Sequence, residues 1–122
     1  MTTVLIIEDN RANMTLATFL LQSAGHDVLS ATDAEAGLAL AHTEQPDLIL
    51  MDIQLPSMDG LEATMLLKRD AATRAIPVVA LTALAMKGDK ERILAAGCDA
   101  YIAKPIRYKE FLAVIAGQLV RA

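Results

Sequence analysis

Short uninterrupted apolar runs alternate along the chain with longer segments whose apolar residues recur at helical spacing. Val4–Ile7 reads VLII, Leu48–Met51 reads LILM and Val78–Leu81 reads VVAL. Runs of this length and kind mark strands buried on both faces of a parallel sheet. His26–Ala31 predicts a weaker second strand, interrupted by Asp27 and Ser30, and Tyr101–Ala103 a short fifth. The first helix is predicted from Arg11 to about Ala24, with Met14, Ala17, Leu21 and Ala24 on its inner face and Gly25 as its stop. Asp33 is a natural N-cap for a second, to about Thr43, with Ala34, Leu38 and Ala41 inward. Further helices are expected from about Leu61 to Asp70, from Met86 to Ala96 before Gly97, and around Phe111, Val114 and Ile115. Pro46 and Pro77 punctuate the approaches to the third and fourth strands.

Five strands alternating with five helices imply an α/β fold, because each crossover must pack back on the sheet. The doubly wound order 2-1-3-4-5 fits five such units, and ligands then bind beyond the carboxyl ends of strands 1 and 3. The polar residues fall at those ends. Strand 1 runs into Glu8 and Asp9, strand 3 into Asp52, strand 4 into Thr82 and strand 5 into Lys104.

A carboxylate closing a strand as apolar as the third must be ion-paired, metal-bound or at a rim. Two carboxylates about 4 Å apart repel by roughly 4 kcal/mol at an effective dielectric of 20, so Glu8, Asp9 and Asp52 together call for cations. Lys104 supplies one charge. An all-oxygen site with few protein carboxylates favours Mg²⁺ for the remainder, since that ion keeps waters and accepts phosphate oxygens. Taken singly, Asp9, Asn10 and Asp59 each have a simpler use as helix caps, and Asp59 is read that way, with Gly60 giving the loop its turn. An ionised Asp52 beside Mg²⁺ and Lys104 has the makings of a phosphoacceptor, with the Thr82 hydroxyl donating to a phosphoryl oxygen.

Composition narrows this further. At 122 residues the chain is one domain by length, 54% hydrophobic but only 3% aromatic, so its core must be aliphatic. The single Cys98 excludes an internal disulfide and a cysteine-based metal site and reads as a small buried hydrophobe. No apolar run approaches the ~18 residues of a membrane span and no signal-peptide pattern opens the chain, so a cytoplasmic protein is expected. The first 67 residues hold ten Asp and Glu against Arg11 alone, a balance of −9, whereas the rest balance at +5. That split suits a cation site built in the first half and a basic surface in the second, and argues against nucleic acid as a partner. His26 and His42 read as surface residues without a role.

The stretches IIEDN at Ile6–Asn10, LILMDIQLPSMDG at Leu48–Gly60, ALTA at Ala80–Ala83 and YIAKPI at Tyr101–Ile106 resemble, in order and spacing, the receiver domain of two-component response regulators. Within that family the chain looks most like single-domain cell-division regulators of the DivK type. The resemblance implies a flavodoxin-like receiver fold. It also implies that Asp52 takes a phosphoryl group from a phosphohistidine on a sensor histidine kinase or histidine phosphotransferase. Asp9, Asp52 and the Gln54 main-chain carbonyl would ligate Mg²⁺, with Glu8 acting through water. Lys104 would pair with the phosphoryl group, Thr82 and Tyr101 would form the switch, and Lys104–Pro105 would be a cis peptide. Gln54 and Leu84 correspond to positions that tune phosphate lifetime.

The readout face implied is the fourth helix, fifth strand and fifth helix. It holds Lys87, Lys90, Arg92, Arg107 and Lys109 and is expected to dock an acidic surface of a downstream protein. The first helix, with Arg11, Asn13 and Met14, is the expected docking face for the phosphodonor. The expectation is a single receiver domain over residues 1–122 with no output domain. A receiver-fold module that binds proteins without phosphorylation, and a receiver domain excised from a hybrid kinase, stand as alternatives. A flavodoxin-like cofactor binder fits poorly, because EDNRAN is no phosphate loop and only two Phe and two Tyr are present. A phosphatase of the DxD type would carry Asp where Gln54 stands.

Overall fold

The apolar runs form the sheet. In a computed structural model, which describes residues 2–56, 58–83 and 87–121, the strands are β1 (Thr3–Ile7), β2 (Asp27–Ala31), β3 (Leu48–Asp52), β4 (Val78–Thr82) and β5 (Ala100–Ala103). The helices are α1 (Arg11–Ser23), α2 (Ala34–Glu44), α3 (Gly60–Arg69), α4 (Lys87–Ala95) and α5 (Tyr108–Arg121). All pairings are parallel, in the order β2-β1-β3-β4-β5, so the expected doubly wound architecture is the observed one. Asp52 is the last residue of β3, as expected, and stands beside Leu81.

Strand alternation splits the core in two. Leu5, Ile7, Ile49, Met51, Val78 and Ala80 face α2, α3 and α4 through Ala34, Ala41, Ala63, Leu67 and Ile93. Val4, Ile6, Leu48, Leu50, Val79 and Leu81 face α1 and α5 through Ala17, Leu20, Leu21, Phe111 and Ile115. Cys98 is buried, and loss of water around it raises its thiol pKa above the ordinary value.

Three helices start on side-chain caps. Asn10 Oδ1 accepts from the Asn13 N–H at 3.0 Å, Asp33 Oδ1 from Ala36 at 2.8 Å and Asp59 Oδ1 from Glu62 at 2.8 Å, each worth about 1 kcal/mol. Because Asn10 caps α1, the neighbouring Asp9 is spared that duty. On the edge away from these caps, the Lys68 ammonium donates to the Ile76 carbonyl at 2.9 Å and to Asp99 Oδ2 at 3.0 Å. Asp99 Oδ2 also accepts from the Val78 N–H at 2.8 Å, which ties α3 to the start of β4.

Several expectations need correction. α1 ends at Ser23, so Ala24 is its exposed C-cap and Leu20 takes the inward place instead. The reversal follows at Gly25, whose φ of 91° lies in the region that favours glycine. Met14 packs against the core, as its inner-face position predicts, and so does not serve as an exposed member of the expected docking face. His26 is half-buried, with its Nδ1 against the Thr2 hydroxyl, whereas His42 is exposed. Leu84 and the expected helix start at Met86 lie outside the described residues.

Candidate functional site

The acidic residues meet where β1 and β3 end side by side. Glu8 and Asp52 extend the rows Val4–Ile6 and Leu48–Leu50, on the α1/α5 side of the sheet, and Lys104 extends β5 beyond Ile102 on that same side. Thr82 and Tyr101 belong to the opposite rows, with Ala80 beside Tyr101 and Thr82 beside Ala103. Asp52 is 2% exposed and Glu8 1%. Asp52 Oδ1 accepts from the Gln54 N–H at 3.0 Å and from the Lys104 ammonium at 3.2 Å. The same ammonium stands 3.4 Å from Glu8 Oε1. The Lys104 N–H donates to the Thr82 carbonyl at 2.8 Å, and the Lys104–Pro105 bond is cis.

One lysine thus serves two buried carboxylates, and Asp9 adds a third. Carboxylate oxygens of Glu8, Asp9 and Asp52 lie within 4.8 Å of one another. Glu8 Oε2 accepts from the Asn10 N–H at 3.1 Å, but Oε1 is buried with no hydrogen-bond donor. Burial is the main cause that pushes the Glu8 carboxyl up to about 7, reinforced by Asp52 and opposed by the Asn10 N–H and Lys104. A deficit of positive charge, an unsatisfied buried oxygen and a purely oxygen donor set together fit a hard divalent cation. These carboxylates could therefore hold a metal ion.

Of the other expected residues, Gln54 adjoins this cluster, while Thr82 and Tyr101 follow the opposite rows of the sheet. Thr82 is buried at the end of β4, and Gln54 is exposed with its N–H spent on Asp52. Tyr101 is half-buried against the core, and the Lys90 ammonium lies 5.4 Å from the centre of its ring. The Asp9 carboxylate is exposed at the mouth of the site.

Gly60 has a different use from the turn assigned to it. Its φ is not positive. Instead, a Cβ there would come within 2.2 Å of the Asp52 carbonyl oxygen and 2.7 Å of Ile53 Cα, while its N–H donates to the Ile53 carbonyl at 2.8 Å. The missing side chain lets α3 begin directly against the end of β3. No local pattern in the sequence distinguishes this from a turn glycine, since the contact is made by backbone atoms seven and eight residues away.

The surfaces also differ from expectation. On α1, Arg11, Thr15, Leu16 and Phe19 line a shallow groove in which Phe19 is 65% exposed. Leu16 and Phe19 are off-face apolar positions of α1 and are exposed, whereas Asn13 and Met14, expected on the docking face, are half-buried. The expected basic face is mixed: Asp89 lies 3.6 Å from Arg92, and Glu91 and Glu110 are exposed on the same helices. The side chain of Lys87 lies outside the described residues. Among the described residues no helix is long and apolar enough to cross a membrane.

The chain matches the family model described as the response regulator receiver domain over residues 4–116. It is 49% identical over 116 residues, 95% of this chain and 94% of the relative, to the polar-differentiation response regulator DivK of Brucella anthropi. Among solved structures, a putative response regulator from Chloroflexus aurantiacus superposes with a TM-score of 0.94 at 28% identity, covering 98% of each chain. The receiver domain of the sensor histidine kinase PA1611 from Pseudomonas aeruginosa, solved with a magnesium ion coordinated in its active-site cleft, gives 0.90 at 34% identity, again over 98% of each.

Proposed function

We propose, from the premise that this chain belongs to the response regulator receiver domain family, that Asp52 is its phosphoacceptor. The observation that carries the reading is the buried Asp52 carboxylate held by the Gln54 N–H and Lys104 beside the other two acids. The donor is a phosphohistidine on a sensor histidine kinase or a histidine phosphotransferase. An Asp52 carboxylate oxygen attacks phosphorus, the new O–P bond forms as the P–N bond breaks, and the imidazole nitrogen leaves with the electron pair. Oxidation states do not change.

Mg²⁺, when bound, neutralises charge on the transferring phosphoryl oxygens. Asp9, Asp52 and the Gln54 main-chain carbonyl would hold it, with Glu8 acting through water. The presence of magnesium in the cleft of the Pseudomonas receiver domain supports this choice. The Lys104 ammonium, already between Glu8 and Asp52, is placed to pair with the phosphoryl group once Asp52 carries it. The Thr82 hydroxyl donates to a phosphoryl oxygen, and Tyr101 follows its movement. That change of packing alters the surface made by α4, β5 and α5, where a downstream protein is read. The phosphodonor docks on α1, whose exposed Leu16 and Phe19 flank Arg11.

Intact mass after incubation with acetyl phosphate tests the reading. A gain of one phosphoryl group is expected with Mg²⁺, and none without it or in Asp52→Asn. No gain under conditions that label a control receiver would leave a protein-binding module that keeps the carboxylates without using them.

A further inference from the structure

Tyr101 carries the readout in the reading above, and a residue of α4 rests on it. The Lys90 ammonium lies 5.4 Å from the ring centre, within the range at which a cation is attracted to the face of an aromatic ring. Three observations suggest that this contact has a purpose. Lys90 stands one turn before Ile93, which is 1% exposed and packs α4 on the sheet, so the stem of Lys90 leaves α4 at the margin of its buried face. Among the described residues its ammonium has no carboxylate within ion-pair distance: neighbouring Asp89 is turned to Arg92, and adjacent helix positions do not face each other. Opposite Tyr101 in register is Ala80, whose methyl group gives the ring little lateral support. Among the described residues, the ring is therefore held by apolar packing against the core and by the Lys90 ammonium over its face.

We propose that Lys90 is a positioning residue for Tyr101: by resting its ammonium on the ring, it sets the balance between the ring position described here and any other. The link from ring position to signalling rests on the proposed phosphoacceptor function, but the hold on the ring does not. An exposed contact of this kind is worth about a two- to five-fold change in such a balance, equivalent to about 0.5–1 kcal/mol. That is small beside folding stability, yet it multiplies directly any equilibrium in which the ring moves. It also makes the resting level of the switch depend on a charge that phosphate never touches.

The test uses the whole chain labelled with 3-fluorotyrosine, the Tyr101 resonance being assigned with Tyr108→Phe. Fluorine NMR is recorded for the wild type, Lys90→Met, which keeps the stem and loses the charge, and Lys90→Arg, which keeps a cation. Lys90→Met should shift the Tyr101 ring populations about two- to five-fold with an unchanged melting midpoint, and Lys90→Arg should return them toward the wild type. An unmoved Tyr101 signal in Lys90→Met, or a Lys90→Arg variant that behaves like Lys90→Met, overturns the proposal. Acetyl phosphate labelling of the same samples separates the two readings. If the wild type takes no phosphoryl group, the phosphoacceptor assignment fails while the ring populations still decide the role of Lys90.

Discussion

Glu8 shows how one side chain can make a folded protein sensitive to its solution. Its carboxyl has an ordinary value of 4.5 and is pushed up to about 7 in the folded chain. A raised acid holds its proton longer in the folded state than in the unfolded one. The stability it contributes is fully present below pH 4.5 and is lost as pH rises through 7. Without a divalent ion, the melting midpoint should therefore fall between pH 5 and 7.5, by an amount reflecting roughly 2–4 kcal/mol. Glu8→Gln should flatten the fall, and Mg²⁺ should raise the midpoint more at pH 7.5 than at pH 5. A wild-type midpoint that does not fall over this range, measured by calorimetry in chelator, would mean that Glu8 is better satisfied than its geometry indicates. The three acids were legible from the sequence because each closes an apolar run or follows one. Their unequal burial was not: Glu8 is deep and Asp9 exposed although they are adjacent, and both lie past the last residue of β1, where the strand pattern no longer sets which side chain is covered.

At the scale of elements, the junction of β3 with α3 is the most constrained. Ala at position 60 would gain helix propensity of up to about 1 kcal/mol. Against this, its Cβ would press on backbone atoms of Asp52 and Ile53 that have no rotamer to change, and such overpacking costs about 1–3 kcal/mol. The clash wins. Gly60→Ala should lower stability and weaken Mg²⁺ binding together, as read by chemical denaturation and a metal titration, because the chain that must shift carries Asp52 and Gln54. Retained affinity would show that the loop absorbs the strain elsewhere. Strands were legible because buried parallel strands are apolar throughout, and caps because Asp33 and Asp59 precede periodic segments. Helix ends were less so: Ala24 continues the periodic row of α1 but lies past its last turn. Contacts such as Lys90 on Tyr101 depend on how α4 lies over β5, which no local pattern encodes.

On the scale of the molecule, two apolar layers share a single five-stranded sheet. Removing Ile115 from one layer or Ile93 from the other, both nearly inaccessible, should cost about 2–5 kcal/mol each. Since each strand contributes to both layers, Ile115→Ala and Ile93→Ala should each show one cooperative transition shifted to lower denaturant. Two resolved transitions in either variant would mean that the layers melt separately. The division also separates tasks. Glu8, Asp52 and Lys104 follow the rows on the α1/α5 side, whereas Thr82 and Tyr101 follow the rows beneath α4. The sheet thus stands between the buried acids with their lysine on one side and the rows that carry Thr82 and Tyr101 on the other. A donor on α1, as proposed, and a downstream protein that reaches only α4 would stand on opposite faces of the sheet, whereas one that also covers α5 would meet the donor along the edge that α5 shares with α1.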